Sequence, residues 1–189
     1  MAQYKSFYSA KGCTRCELII NAAMRPTLGL GFDCKSTAEI MFIGEAPGHT
    51  ENRTKIPFSG KSGTLLRKYI KDSNIDDVSY ITNVIKCRPP GNRNPSNFEV
   101  KQCGIHLSQE IIKFKPKIIV TCGKFAMDFF KPFDSRLINT IQRDTSGCIF
   151  IYTYHPSYII REDRYYIYDK TFTIIRDVYK AINPNFILY

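Results

Sequence analysis

The chain has 189 residues, 43% of them hydrophobic, and carries 27 Lys and Arg against 17 Asp and Glu for a formal net charge of +10. That length and apolar content suit one domain, residues 1–189, with a sizeable core, and exclude a disordered chain. The positive excess favours a polyanionic partner, nucleic acid first and an anionic membrane second, while no apolar run approaches the length of a membrane span.

The start, MAQYKSFYSAKGC, lacks the apolar core of a secretory signal, so a reducing cytoplasm is the expected setting. In that setting seven cysteines point to a metal or cluster site before disulfides, and the odd number leaves at least one thiol unpaired under any disulfide scheme. The first motif is Cys13-Thr14-Arg15-Cys16. A CxxC on a loop chelates a metal, caps a redox helix or carries no chemistry. A glycine-bearing segment, Pro26 to Phe32, follows with little periodicity.

Ile40 to Ile43 is a short apolar run, too brief for a helix and right for a buried strand. It breaks into Gly44-Glu45-Ala46-Pro47-Gly48, where two glycines and a proline force a tight, irregular turn. In an open α/β sheet ligands sit just past the carboxyl ends of strands, so this turn, with its one carboxylate, is a candidate site. Phe58 follows, next to Pro57 in a loop. Ser59-Gly60-Lys61-Ser62-Gly63 leads into an amphipathic run, Thr64 to Ile70, with Leu65, Leu66, Tyr69 and Ile70 on one helical face. A phosphate-loop reading fails, because Lys55 stands where the motif needs its first glycine. A helix start bearing Gly and Lys still suits a DNA phosphate, or is a plain capped helix.

Ser79 to Lys86 reads as the second strand, with Asn83 in its last half. A buried Asn is either pinned in a hydrogen-bond network or left free for a ligand, and strand context alone favours the structural role. Cys87 to Pro95, CRPPGNRNP, is a loop made basic by Arg88 and Arg93. Ser96-Asn97-Phe98-Glu99 is a capping box opening a helix to about Phe114, with Val100, Cys103, Leu107 and Ile111 on one face. Pro116 to Thr121 is the third strand, followed by Gly123 and a short helix, Lys124 to Phe130. Lys131 to Gly147 reads as a polar surface excursion. Cys148 to Tyr154 is the fourth strand and ends at His155-Pro156-Ser157-Tyr158-Ile159-Ile160-Arg161. Tyr165 to Ile182 is a final packing helix. Strands alternating with helices imply an α/β fold with a parallel sheet and helices on both faces. Glu45, Asn83 and His155 then stand at or just past the carboxyl ends of the first, second and fourth strands.

In this order and spacing CTRC (Cys13 to Cys16), GEAPG (Gly44 to Gly48), PFSGKSGTLL (Pro57 to Leu66), YITNVIKCRPPGNRNP (Tyr80 to Pro95) and HPSYIIR (His155 to Arg161) resemble the family 4 uracil-DNA glycosylases, the iron–sulfur members of that superfamily. The likeness runs from Cys13 to about Ile182. It implies a three-layer α/β/α sandwich around a four-stranded parallel sheet and, as partner, uracil-containing DNA, single- or double-stranded; no membrane partner is expected, and a monomer is.

The resemblance also implies roles. A target base must leave the duplex before its glycosidic bond is attacked. Tyr158 to Arg161 match the inserted loop, with Ile159 or Ile160 as wedge and Arg161 on a phosphate; Ser157, Lys61, Ser62, Arg88 and Arg93 join the DNA-facing set. Phe58 stacks on the base, and Asn83 reads the N3–H donor and O4 acceptor of uracil, a pattern cytosine inverts. Glu51 supplies bulk near C5 against thymine. His155 and the Ala46 N–H serve the uracil O2, where negative charge develops, and Glu45 orients the attacking water and stabilises the sugar cation. Cys13, Cys16, Cys87 and Cys103 match the ligands of a [4Fe–4S] cluster; four thiolates alone suit that or tetrahedral zinc. Cys34, Cys122 and Cys148 are left as small core residues.

Two departures stand out. The family usually has an acidic pair where this chain has Glu51-Asn52, and His49 is unexpected. The basic loop of the covalently trapping relatives carries a histidine that CRPPGNRNP lacks, so trapping is not expected. The alternative is a catalytically weak or inactive DNA-binding homologue that keeps the fold and cluster; a redox sensor built on the CxxC is a more distant reading.

Overall fold

The structure, a computed structural model, describes residues 13–21, 26–31 and 38–184. Its strands are Leu30–Gly31 (β1), Ile40–Gly44 (β2), Ser79–Asn83 (β3), Ile118–Cys122 (β4), Ile141–Arg143 (β5) and Ile149–Thr153 (β6). They form one sheet in the order β1-β3-β2-β4-β6-β5. The four central strands run parallel, as the alternation of apolar runs and helices implies, and the short edge strands β1 and β5 are antiparallel to their neighbours. The sheet therefore has six strands where four were expected. The edges escape the sequence reading because β1 is two residues long and β5 is largely exposed, so neither leaves an apolar run.

Every residue of the four central strands is buried. Helices cover both faces, and strands buried on two sides read as continuous apolar segments. The helices are Leu18–Asn21 (α1), His49–Thr54 (α2), Lys61–Asp72 (α3), Asn97–Phe114 (α4), Lys124–Phe130 (α5), Pro156–Arg161 (α6) and Tyr165–Ile182 (α7). Successive strand residues point to opposite faces. Ile40, Phe42, Ile81, Val120 and Ile151 meet Leu66 and Ile70 of α3, Ile159 of α6 and Phe172 and Ile175 of α7. Met41, Ile43, Tyr80, Ile119 and Tyr152 meet Leu18 and Ile19 of α1, Leu107 of α4 and Met127 of α5. This is the α/β/α sandwich.

The second strand stops at Asn83 rather than Lys86, and β5 lies within the segment read as an excursion. Cys122 is fully buried and Cys148 half-buried, as small core residues are, while Cys34 lies outside the described residues. The capping box forms: Ser96 Oγ accepts from the Glu99 N–H at 3.2 Å and Glu99 Oε2 accepts from the Ser96 N–H at 2.7 Å. Among the described residues no helix is long and apolar enough to cross a membrane.

Candidate active site

β2 and β3 are paired in register to their last residues, Gly44 beside Asn83. The chain then leaves β2 through the glycine-proline turn, pinned as the Val84 and Ile85 N–H groups donate to the Gly44 and Glu45 carbonyls, each at 2.9 Å. A Cβ on Gly44 would lie 2.4 Å from the Phe58 ring and 2.5 Å from Asn83 Oδ1, so only a glycine lets ring and amide close over this point. Asn83 is 3% exposed, yet its side chain makes no hydrogen bond to any described residue. The strand-only expectation of a pinned structural amide is corrected here: a buried amide at a strand's carboxyl end is left open. Glu45 is half-buried beside it, and burial raises its carboxyl above the ordinary 4.5.

Phe58 is held in the left-handed region, φ +52°. Two features absent from the sequence reading keep it there. Arg67 of α3 donates to the Phe58 carbonyl at 3.0 Å and the Pro57 carbonyl at 2.7 Å. Gly63 of α3 lies directly against the Phe58 backbone, where any Cβ would be 1.8 Å from the carbonyl oxygen. Arg67 follows Leu66 by one position on an otherwise ordinary amphipathic helix, so nothing local marks it.

The imidazole closes the fourth side. His155 caps α6, two residues past β6, and its ring centroid lies 5.7 Å from that of Phe58. The Ser157 N–H donates to His155 Nδ1 at 3.2 Å, and the Ser157 hydroxyl is 2.7 Å from the same nitrogen. A main-chain N–H has only a proton to offer, so Nδ1 is the acceptor and the ring proton of the neutral form sits on Nε2. Burial pushes the imidazole down to about 4, opposed by the charge of Glu51, so it is neutral at pH 7. Phe58, Asn83 and His155, far apart along the chain, therefore come together past the carboxyl ends of the central strands, with half-buried Glu45 and Ala46 in the turn that follows Gly44.

Glu51 is committed to the backbone. Its Oε2 accepts from the Gly48 N–H at 3.1 Å and its Oε1 from the Gly60 N–H at 2.8 Å, which staples the start of α2 to the start of α3. Asn52 Oδ1 accepts from Lys55 at 3.0 Å, within α2 and its cap. Lys61 is exposed and Ser62 half-buried at the start of α3. Arg88 donates to Asn92 Oδ1 at 2.7 Å. Arg93 grips Glu99 fork to fork, at 2.8 and 2.6 Å, and holds that carboxyl down at about 2. In the HPSYIIR stretch the phase of α6 separates two adjacent isoleucines. Ile159 is fully buried in the core, which rules out its role as a wedge; Ile160 is half-open, and Ser157 and Arg161 are exposed. Tyr158 stacks on Tyr154 with centroids 4.5 Å apart and carries the guanidiniums of Arg161 and Arg164 at 5.6 and 5.7 Å from its ring, Arg164 being a residue the sequence reading missed.

A second cluster lies behind the first. Cys13, Cys16, Cys87 and Cys103 line one small pocket with Leu18, Ile19, Pro26 and Ile85. Burial and the neighbouring thiols push Cys87 up to about 12 and, against the relief given by Lys86, Cys103 to about 11. Buried thiols such as Cys87 and Cys103 become thiolates only when a cationic group joins them, so the donor set suits a metal centre. Among the described residues no three such side chains are set to hold a single ion.

The chain is similar to known proteins over most of its length. The model of the uracil DNA glycosylase superfamily matches residues 30–181. The type-4 uracil-DNA glycosylase of Thermotoga maritima is 38% identical over 157 residues, 80% of this chain and 79% of that protein. Its counterpart from Archaeoglobus fulgidus is 39% identical over 135 residues, 65% of this chain and 67% of its own length. That of Sulfurisphaera tokodaii is 46% identical over 94 residues, 49% of this chain and 43% of its own. With a superfamily model matched over most of its length and a relative 38% identical over four-fifths of both chains, the chain belongs to the uracil-DNA glycosylase superfamily and, within it, to the family 4 (type-4) uracil-DNA glycosylases.

Proposed function

We propose that the protein is a DNA repair enzyme that turns a uracil nucleotide out of DNA, hydrolyses its N-glycosidic bond and leaves an abasic site. The observation that carries this reading is Asn83: a residue only 3% exposed whose side-chain amide has no hydrogen bond among the described residues, beside an aromatic ring, in a superfamily named for uracil. An open buried amide is costly unless a ligand completes it. Its carbonyl accepts from uracil N3–H and its amino group donates to O4, while the Phe58 face stacks on the ring. Cytosine offers the reverse pattern and leaves both groups unpaired, which is the strong form of discrimination.

Bond cleavage leaves negative charge on the base and positive character on the sugar. His155 meets the first as a neutral Nε2–H donor, with the Ala46 N–H in support, and donors fixed in advance cost no reorganisation when the charge appears. Glu45, ionised, faces the second and orients the attacking water. Glu51 serves the pocket by fixing the Gly48 and Gly60 turns around it, and its bulk stands against the thymine methyl. Ile160 takes the wedge position, with Arg161, Ser157, Lys61, Ser62 and Arg88 on phosphates. Arg93, gripped by Glu99, contributes to the same surface chiefly by fixing the loop. Cys13, Cys16, Cys87 and Cys103 hold a [4Fe–4S] cluster, which ties the CxxC loop to the CRPPGNRNP loop. The enzyme acts as a monomer. The non-catalytic alternative has no support from the site, because none of the four groups is missing and Asn52 bonds Lys55.

The test is incubation with single- and double-stranded oligonucleotides holding one uracil, followed by alkaline cleavage of abasic sites. Strand scission at uracil, absent at cytosine and thymine, is expected. No scission at stoichiometric enzyme would sink the proposal.

A further inference from the structure

Lys86 lies three residues past Asn83 and one before Cys87, with its side chain 1% exposed. Its ammonium donates to Thr82 Oγ1, the Asn83 carbonyl and Glu110 Oε2, each at 2.7 Å, so all three protons are used. Glu110, fully buried on α4, also accepts from the Thr82 hydroxyl at 2.8 Å and the Tyr80 hydroxyl at 3.2 Å. The main-chain N–H of Lys86 donates to Cys103 Sγ at 3.2 Å. One residue thus touches the main-chain carbonyl of Asn83, the thiol cradle and a buried carboxylate.

A buried ion pair is a poor source of stability, since well-packed apolar residues of like volume commonly do as well or better. An apolar side chain would fill the same space but would not reach the Asn83 carbonyl. We propose that Lys86 is a positioning residue for Asn83, held in place by Glu110 and Thr82, and that the buried pair serves base recognition rather than stability. Among the described residues the side-chain amide has no hydrogen-bond partner, so its aim depends on the backbone that carries it. Lys86 and the strand pairing to Gly44 hold that backbone from two sides. The inference rests on the reading of Asn83 as the base-recognition group.

The experiment uses the full chain with its metal centre. Lys86→Met/Glu110→Leu replaces the pair with apolar side chains. Thermal unfolding and visible absorbance follow the fold and the cluster; inhibition by free uracil and steady-state kinetics follow recognition. The expected result is a melting temperature and absorbance close to wild type, with uracil inhibition weakened roughly tenfold to 100-fold and a rise in KM, as for an ångström-scale misplacement. Inhibition and kcat/KM within about threefold of wild type would overturn the inference. Should the double variant fail to fold, Thr82→Val removes the bridging hydroxyl at nearly constant volume. It is expected to weaken uracil inhibition several-fold, and unchanged inhibition there would overturn the inference equally. Asn83→Ala separates the two layers. If it leaves uracil inhibition intact, the reading of Asn83 itself falls; if it abolishes inhibition while the Lys86 and Thr82 variants do not, only the positioning role falls.

Discussion

Burial shifts Glu45 and His155 in opposite directions, because it disfavours whichever form is charged. Glu45 is raised above 4.5, so its working carboxylate is lost on acidification before the imidazole, at about 4, gains a proton. The acid limb of kcat/KM therefore belongs to Glu45, and Glu45→Gln should remove that limb while lowering kcat by roughly 100-fold or more. Stability runs the other way. A carboxyl whose folded pKa is raised favours folding below its ordinary pKa and loses that contribution as pH rises through the raised value. Glu45→Gln should thus melt higher than wild type at pH 7, with the gain vanishing below about pH 4, where both side chains are neutral. His155 is depressed, so its contribution is present above 6.5 and lost as pH falls towards about 4, and His155→Gln should flatten the fall in melting temperature across that window. Both positions were legible as candidates in the sequence because each stands just past an apolar strand. The Lys86–Glu110 pair was not: charged side chains 24 positions apart read as solvent-facing until the helix lays one over the other.

At the scale of elements, α3 shows what amphipathic spacing reveals and what it hides. Leu66 and Ile70 announce its buried face. The same pattern leaves Gly63 looking like a weak point, since glycine inside a helix costs about 1 kcal/mol relative to alanine. Here the missing Cβ is what lets the Phe58 carbonyl approach. Gly63→Ala should therefore reverse the helix-propensity expectation, destabilising by about 1–3 kcal/mol as an overpacked contact does. Because the displaced residue is the stacking ring, KM should rise more than kcat falls; thermal unfolding and steady-state kinetics on a uracil oligonucleotide would check both. Helix α2 had no comparable signal, because none of its six residues is buried. The choice between Ile159 and Ile160 was equally hidden, since it depends on the rotation of α6 against α3 and α7, which two adjacent isoleucines do not encode.

Across the whole molecule the parallel sheet gives the fold a direction. Glu45, Asn83 and His155 gather at the carboxyl ends of the strands, and Lys61 and Arg161 open α3 and end α6 on that side. Lys117 lies at the amino end, paired with Glu39 at 2.7 Å just before β4 and β2 begin. A net charge of +10 says only that a polyanion is attracted; the proposed function sets Lys61 and Arg161 against it and leaves Lys117 away from it. Each phosphate neutralised releases counterions, so log K falls against log salt by about 0.7 per contact on single strands and 0.9 on duplex. Lys61→Gln and Arg161→Gln should each lower that slope by about 1, while Lys117→Gln leaves it unchanged. Arg93→Gln should change it less than Lys61→Gln does, because its guanidinium is already gripped by Glu99. Fluorescence anisotropy of a labelled oligonucleotide across a salt series measures all four slopes. Equal losses at Lys61, Arg161 and Lys117 would mean that the charge attracts DNA diffusely rather than through the face that carries the pocket.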